Sequence, residues 1–222
     1  MIKRKILLNP GPATTTDSVK RAQIVSDICP REEEFCQVIR EVRRNLVKIA
    51  CGGDDYTCVL FGGSGSAAMD SVINSTIPNY GKILIINNGA YGERFANIAE
   101  IYGIDYTSLK FGWDKPINLE KIVRELENDK KLSHVAIIHH ETTTGILNPI
   151  KEVGEIAKRF DCKYIVDVIS SFAGIPFSVK DCKIDYMLST SNKCIQGMPG
   201  IDFIICKKEE LEKIKNYPKK SF

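Results

Sequence analysis

The stretch Tyr56-Thr57-Cys58-Val59-Leu60-Phe61-Gly62-Gly63-Ser64-Gly65-Ser66-Ala67-Ala68 decides the fold. The run Tyr56–Phe61 is aromatic, β-branched or apolar and too short for a helix, so it reads as a strand. Ser66–Ile77 then carries the pattern of a helix, with the glycine–serine run turning the chain between the two. A helix entered through such a loop has free N–H groups at its start. Together with the helix dipole and the Ser64 and Ser66 hydroxyls they make a cradle for phosphate. A tight strand-to-helix turn needs glycine in any case, so the loop alone leaves both readings open.

Outward from this stretch the same alternation repeats. Ile83–Asn87, Asp105–Lys110, His134–His139, Lys163–Val168, Asp185–Ser189 and Ile201–Cys206 read as further strands, and Arg94–Tyr102, Leu119–Asn128 and Lys151–Phe160 as helices between them. Before the first strand, Phe35, Val38, Ile39, Val42, Leu46 and Ile49 recur at helical spacing across Glu33–Ala50. Strand–helix alternation of this kind predicts an α/β fold: a mostly parallel, seven-stranded sheet flanked by helices. Ligands of such sheets bind at the carboxyl ends of the strands, so the informative residues should follow strands.

They do. Asn88-Gly89-Ala90-Tyr91-Gly92, Glu141-Thr142-Thr143-Thr144-Gly145, Asp167 and Ser189–Lys193 each sit at such an end. Gly63, Gly65 and Ala68 mimic a dinucleotide fingerprint, but the place for its ribose-binding carboxylate holds Asn87 and Asn88, which argues against a nicotinamide site. Lys193 stands in a polar stretch between a strand and a Gly/Pro turn. Most lysines are solvated charges; what singles this one out is its company. A pyridoxal 5′-phosphate (PLP) site requires an amine, a carboxylate to hold the ring nitrogen protonated, and anion donors at a helix start. Asp167, closing the run Lys163–Val166, can be that carboxylate or a capping residue. Tyr91, flanked by glycines, can lie on a flat ring or simply pack. The threonines at 142 to 144 can bind an oxygen or close a turn. His139-His140-Glu141 suggests a metal only superficially, because adjacent strand residues face opposite ways, and no metal is expected.

The composition excludes little beyond disorder and membrane spanning. The chain has 222 residues, 43% hydrophobic and 27% charged, and a net charge of +3 from 31 basic and 28 acidic residues. The basic run from Lys207 to Lys220 is interrupted by Glu209, Glu210 and Glu212 and reads as a solvated helix face rather than a nucleic-acid patch. The apolar run Ile6–Leu8 is too short for a signal core or a spanning helix. Eight cysteines without a C-x-x-C pair, mostly in apolar runs, read as buried thiols of a cytoplasmic protein.

Taken together, these segments resemble the class V aminotransferases of fold type I, PLP enzymes, and within them the branch that moves the amino group of 2-aminoethylphosphonate to pyruvate. The matching stretches are Leu7–Pro12, Gly63–Ser66, Asn88–Gly92, His140–Ile150, Tyr164–Asp167 through Ser170–Pro176, and Ser191–Gly197. The resemblance implies that Lys193 forms the Schiff base with PLP, that Asp167 pairs with the ring nitrogen, and that Tyr91 and Ile169 sandwich the ring. It implies Ser64, Gly65, Ser66 and Asn192 around the phosphate, Thr143 near the ring's phenolic oxygen, and Gly11 and Thr143 beside the substrate. Phosphonoacetaldehyde and L-alanine would be the products of a ping-pong cycle in a homodimer. Residues 1–20 would be an N-terminal arm and 21–222 the PLP-binding large domain. The family's small C-terminal domain, with its substrate-gripping arginine, would lie beyond Phe222. The alternatives are a PLP-binding fragment without independent activity and an alanine–glyoxylate or serine–pyruvate type transaminase; no cysteine stands on a persulfide loop, which disfavours a desulfurase.

Overall fold

The computed structural model describes residues 5–218. In chain order the elements are α1 (Asp17–Arg21), α2 (Glu33–Ile49), β1 (Tyr56–Gly62), α3 (Gly65–Thr76), β2 (Lys82–Asn87), α4 (Ala90–Ile101), β3 (Asp105–Lys110), α5 (Leu119–Asn128), β4 (Leu132–Ile138), β5 (His140–Glu141), β6 (Ile146–Leu147), α6 (Ile150–Arg159), β7 (Lys163–Asp167), β8 (Tyr186–Thr190), β9 (Ile201–Lys207) and α7 (Lys208–Ile214). Seven strands form one sheet in the order β1-β9-β8-β7-β4-β2-β3, and β5 pairs with β6 in a separate hairpin. Only β9 runs against its neighbours. The predicted mostly parallel seven-stranded sheet is thus the one observed.

Both faces of this sheet are covered, which is why its central strands are apolar at successive positions rather than at alternate ones. Ile83 and Ile85 of β2 pack with Met69, Val72 and Ile73 of α3 and Phe95 of α4 on one face. Leu84 and Ile86 pack with Ile122 and Leu126 of α5 and Val153 and Ala157 of α6 on the other. The spacing of those helical residues, three or four apart, matches one stripe per helix. The Asn118 side chain accepts from Lys121 N at 3.1 Å and starts α5 one residue later.

Three expectations need correction. The helix expected at Arg94–Tyr102 begins at Ala90, so Tyr91 lies in its first turn instead of in a loop. Cys58, Cys162, Cys182 and Cys206 are buried, but Cys29, Cys51 and Cys194 are exposed and Cys36 is half-buried. The apolar setting of Cys36 and Cys51 misled because the α2 stripe buries only Leu46, leaving Val38, Val42 and Ile49 exposed. The basic run past β9 is a helix as read, yet not wholly solvated: Glu210 is buried and paired with Lys163 and Lys213. Lys219 and Lys220 of that run, and Met1–Arg4 of the expected arm, lie outside the described residues.

Candidate active site

Because β1, β2, β4, β7 and β8 run the same way, their carboxyl ends share one edge of the sheet, and every singled-out segment emerges there. Asp167 ends β7 in the middle of that edge. It is 2% exposed, and its Oδ1 accepts from Ile169 N at 2.7 Å. Burial pushes its carboxyl up to about 7; the Ile169 N–H opposes this, Glu141 adds to it, and Arg94 and Lys193 weakly counter it. No lysine or arginine forms an ion pair with it among the described residues. Such a carboxyl is poised to accept a cation that arrives from outside the chain.

Ile169, two residues on, is buried and lies against Gly65, where a side chain would strike its Cδ1. That contact brings the end of β7 under the glycine–serine loop. Ser64 and Ser66 are exposed there, and Ser64 makes no side-chain cap to α3. Ala67 N and Ala68 N both donate to Ser64 O, which leaves the N–H groups of Gly65 and Ser66 without partners among the described residues. These free donors at the start of a twelve-residue helix are what an anion requires.

Tyr91 sits on α4 across from this loop, half-buried, with the Arg94 guanidinium 4.9 Å from its ring centre. The start of α4 is tied to the end of β5 by Glu141, which is fully buried. Its Oε2 accepts from Tyr91 N at 3.2 Å and Gly92 N at 3.3 Å, and its Oε1 from Thr143 N at 3.2 Å and Thr143 Oγ1 at 2.8 Å. Gly89 has to be glycine because a Cβ there would collide with the Glu141 side chain. Thr143 Oγ1 in turn accepts from Ala90 N at 3.1 Å. Its hydrogen is committed to Glu141, so toward any ligand it offers a lone pair only.

Lys193 is half-buried beyond β8 and donates from Nζ to Pro10 O at 3.2 Å. Gly11, at φ +135°, presses its backbone against the lysine side chain. Asn192 accepts at Oδ1 from Thr190 Oγ1 at 3.1 Å and at its backbone oxygen from Ala13 N at 2.8 Å, leaving the side-chain NH2 free to donate. Here a cavity of about 420 Å³ is lined by Asn9, Pro10, Gly11, Ser170, Lys193 and Cys194 among others. A larger groove between α2 and β1, about 580 Å³, contains none of the singled-out residues.

All the sequence-predicted residues therefore reach one edge. Thr142, expected only as a member of its threonine run, pairs its hydroxyl with Ser170 Oγ at 2.5 Å. His139 is buried, with Nδ1 bonded to Ser171 Oγ at 2.9 Å, and no cluster able to hold a metal occurs among the described residues. Two side chains that tie this edge together escape the sequence reading. Glu141 reads there only as the head of its threonine run and as a metal ligand, and Arg94 only as the start of a helix, since the N–H and hydroxyl groups they meet are 49 and 28 residues away.

Residues 18–219 match the model of a family described as Aminotransferase class-V. The chain is 46% identical over 215 residues to the bifunctional phosphonoacetaldehyde hydrolase/aminoethylphosphonate transaminase of Clostridioides difficile, covering 96% of this chain and 34% of that one. It is 45% identical over 207 residues to the 2-aminoethylphosphonate–pyruvate transaminase of Klebsiella pneumoniae, covering 93% and 56%. Among solved structures, the ureidoglycine–glyoxylate aminotransferase of Bacillus subtilis superposes with a TM-score of 0.91 at 26% identity, covering all of this chain and 57% of that one. The chain thus spans little more than half the length of these single-function relatives.

Proposed function

Since the chain belongs to the class-V aminotransferase family, we propose that it is the cofactor-holding part of a PLP-dependent transaminase that moves the amino group of 2-aminoethylphosphonate to pyruvate, giving phosphonoacetaldehyde and L-alanine. The observation that carries this reading is Asp167: a buried carboxyl lifted to about 7, free of ion pairs among the described residues, between an anion cradle and a lysine. The two relatives with transaminase names supply the substrate.

The residues present fit PLP. When bound, PLP supplies an aldehyde to carry the amino group and a cationic ring to draw electrons from the substrate carbon. Asp167 would hold the proton at the ring nitrogen and so gain the counter-charge that its burial calls for. Tyr91 and Ile169 would hold the ring between them. The N–H groups of Gly65 and Ser66, the hydroxyls of Ser64 and Ser66, and the Asn192 amide would hold the phosphate. Lys193 Nζ would hold the aldehyde end of the cofactor and, once the substrate amine is bound, would serve as the general base that takes the proton from the substrate carbon. Pro10 O, 3.2 Å away, holds that amine at the site mouth, and Gly11 and Thr143 border the substrate. Cytoplasmic location and a homodimer belong to the same proposal, and sedimentation tests the dimer. No helix among the described residues is long and apolar enough to cross a membrane.

The test is an absorbance spectrum of the purified chain with PLP, before and after 2-aminoethylphosphonate. The visible band of lysine-bound PLP should form, vanish in Lys193→Ala, and convert to the pyridoxamine form when the amine is added. A band that forms but ignores the amine would mark a cofactor-binding piece without independent activity. Equal conversion by alanine and 2-aminoethylphosphonate would favour a sister transaminase.

A further inference from the structure

Arg94 has no role in the assignment above, yet it joins the two helices that frame the phosphate cradle. It stands one turn after Tyr91 on α4, on the same helix face, with its guanidinium over that ring. Its Nη1 donates to Ser66 Oγ at 2.6 Å, in the first turn of α3. The side chain is exposed and forms no ion pair among the described residues. Its acidic neighbour Glu93 is engaged elsewhere, accepting from Asn87 Nδ2 at 2.6 Å and Lys110 Nζ at 3.2 Å. An unpaired guanidinium is therefore fixed beside two free N–H groups and two exposed hydroxyls.

We infer that Arg94 is a ligand of the cofactor's phosphate and selects the phosphorylated cofactor over its unphosphorylated form. The inference rests on the PLP reading and adds to it a fixed cation. A guanidinium presents two parallel N–H groups that match two oxygens of a phosphate monoester, which neither backbone donors nor hydroxyls supply. Ser66 serves as the holding point. While it accepts from Arg94 its own O–H stays free, so both groups can turn to one anion with no other bond in the site broken. The stack on Tyr91 limits the rotamers of Arg94 and lowers the entropy cost of fixing it. A guanidinium that merely stapled α3 to α4 would make the same contacts but would ignore the phosphate.

The two roles separate by comparing PLP with pyridoxal, which lacks only the phosphate. Equilibrium binding of each to the whole chain is followed by absorbance for wild type, Arg94→Gln and Arg94→Lys, with a thermal melt to show that each variant is folded. Loss of one charge-assisted pair, on the order of tenfold to a hundredfold in affinity, is expected for PLP in Arg94→Gln, with pyridoxal unchanged within about twofold. Arg94→Lys should recover part of the loss, since it restores the charge without the fork. Equal weakening of both ligands, or an unchanged PLP affinity, would overturn the inference while leaving the PLP reading intact. A wild-type chain that binds neither ligand overturns both.

Discussion

Asp167 should make the cofactor-free protein less stable as the pH rises, the reverse of what a salt-bridged aspartate does. Its carboxyl is lifted to about 7 by burial, against about 3.9 in an unfolded chain. The folded state therefore binds more protons than the unfolded state between those two values. Stability is full below about pH 4 and is lost as the pH climbs through about 7. Three pH units at about 1.4 kcal/mol each make the loss about 4 kcal/mol, a large share of a typical domain's stability. Two histidines work the other way. His134 and His139 are pushed down to about 4 by burial, so each costs stability as the pH falls from about 6.5 toward 4. The wild-type profile mixes these opposing slopes.

Asp167→Asn separates them. The amide oxygen can still accept from Ile169 N while the titrating charge is gone. Urea midpoints of wild type and variant, taken every half unit from pH 4.5 to 8.5, should diverge steadily in the variant's favour up to about pH 7 and run parallel above. Saturating PLP should flatten the divergence, because a cationic ring nitrogen offsets the buried charge. Parallel profiles across the whole range would show that Asp167 titrates normally, and the case for a cation partner at β7 would lose its main support.

Other substitutions test the framework around it. Glu141→Gln replaces one of two oxygens that together accept four bonds with a donor, and should lower the unfolding free energy by about 1–3 kcal/mol; an unmoved midpoint would mean that α4 is not held by this residue. Asp185→Asn removes the charge shared by Lys158 and Lys207 and should cost about 3 kcal/mol at neutral pH, the lower end for a buried pair because both lysines reach solvent. Desolvation raises the Asp185 carboxyl, but the lysines outweigh it and hold it below the usual range, so the cost should shrink as acid protonates the wild-type group. Gly154→Ala would drive a methyl into the Cys182 carbonyl, where α6 crosses the segment before β8; a loss of about 1–3 kcal/mol is expected, and a neutral result would place the helix farther out.

The sheet was legible because its strands are short apolar runs separated by helices with a single apolar stripe, and a doubly covered parallel sheet leaves few other ways to bury them. The Gly62–Ser66 loop and Asp167 were legible for a related reason: each is a local departure, polar or flexible, at the end of a buried strand. Glu141 and Arg94 follow no such local rule. Glu141 is next to a threonine run, and only folding brings the bare N–H groups of α4 onto it. Arg94 reads as an ordinary helix-surface cation until Ser66 is seen across from it. The β5–β6 hairpin, two residues per strand, is below the length at which alternation carries a signal.

The buried carboxylates divide along the strand direction, and the division bears on function. At the amino edge Asp185 is met by Lys158 and Lys207, and Glu210 by Lys163 and Lys213, so their fields are cancelled within the fold. At the carboxyl edge Glu141 is saturated by neutral donors, Asp167 accepts one backbone bond, and Asp202 on β9 is fully buried with no ion pair among the described residues. Burial without a counter-ion is unfavourable for the folded state, so it persists where a ligand returns the energy. Asp167 is placed for that return: it shares an edge with Lys193 and the α3 cradle, and a cation brought beside it has no lysine to displace. The same cation near Asp185 would find its charge already neutralised. Asp167 and the paired carboxylates Asp185 and Glu210 thus differ in what the protein itself supplies to balance them, more than in how deeply they lie.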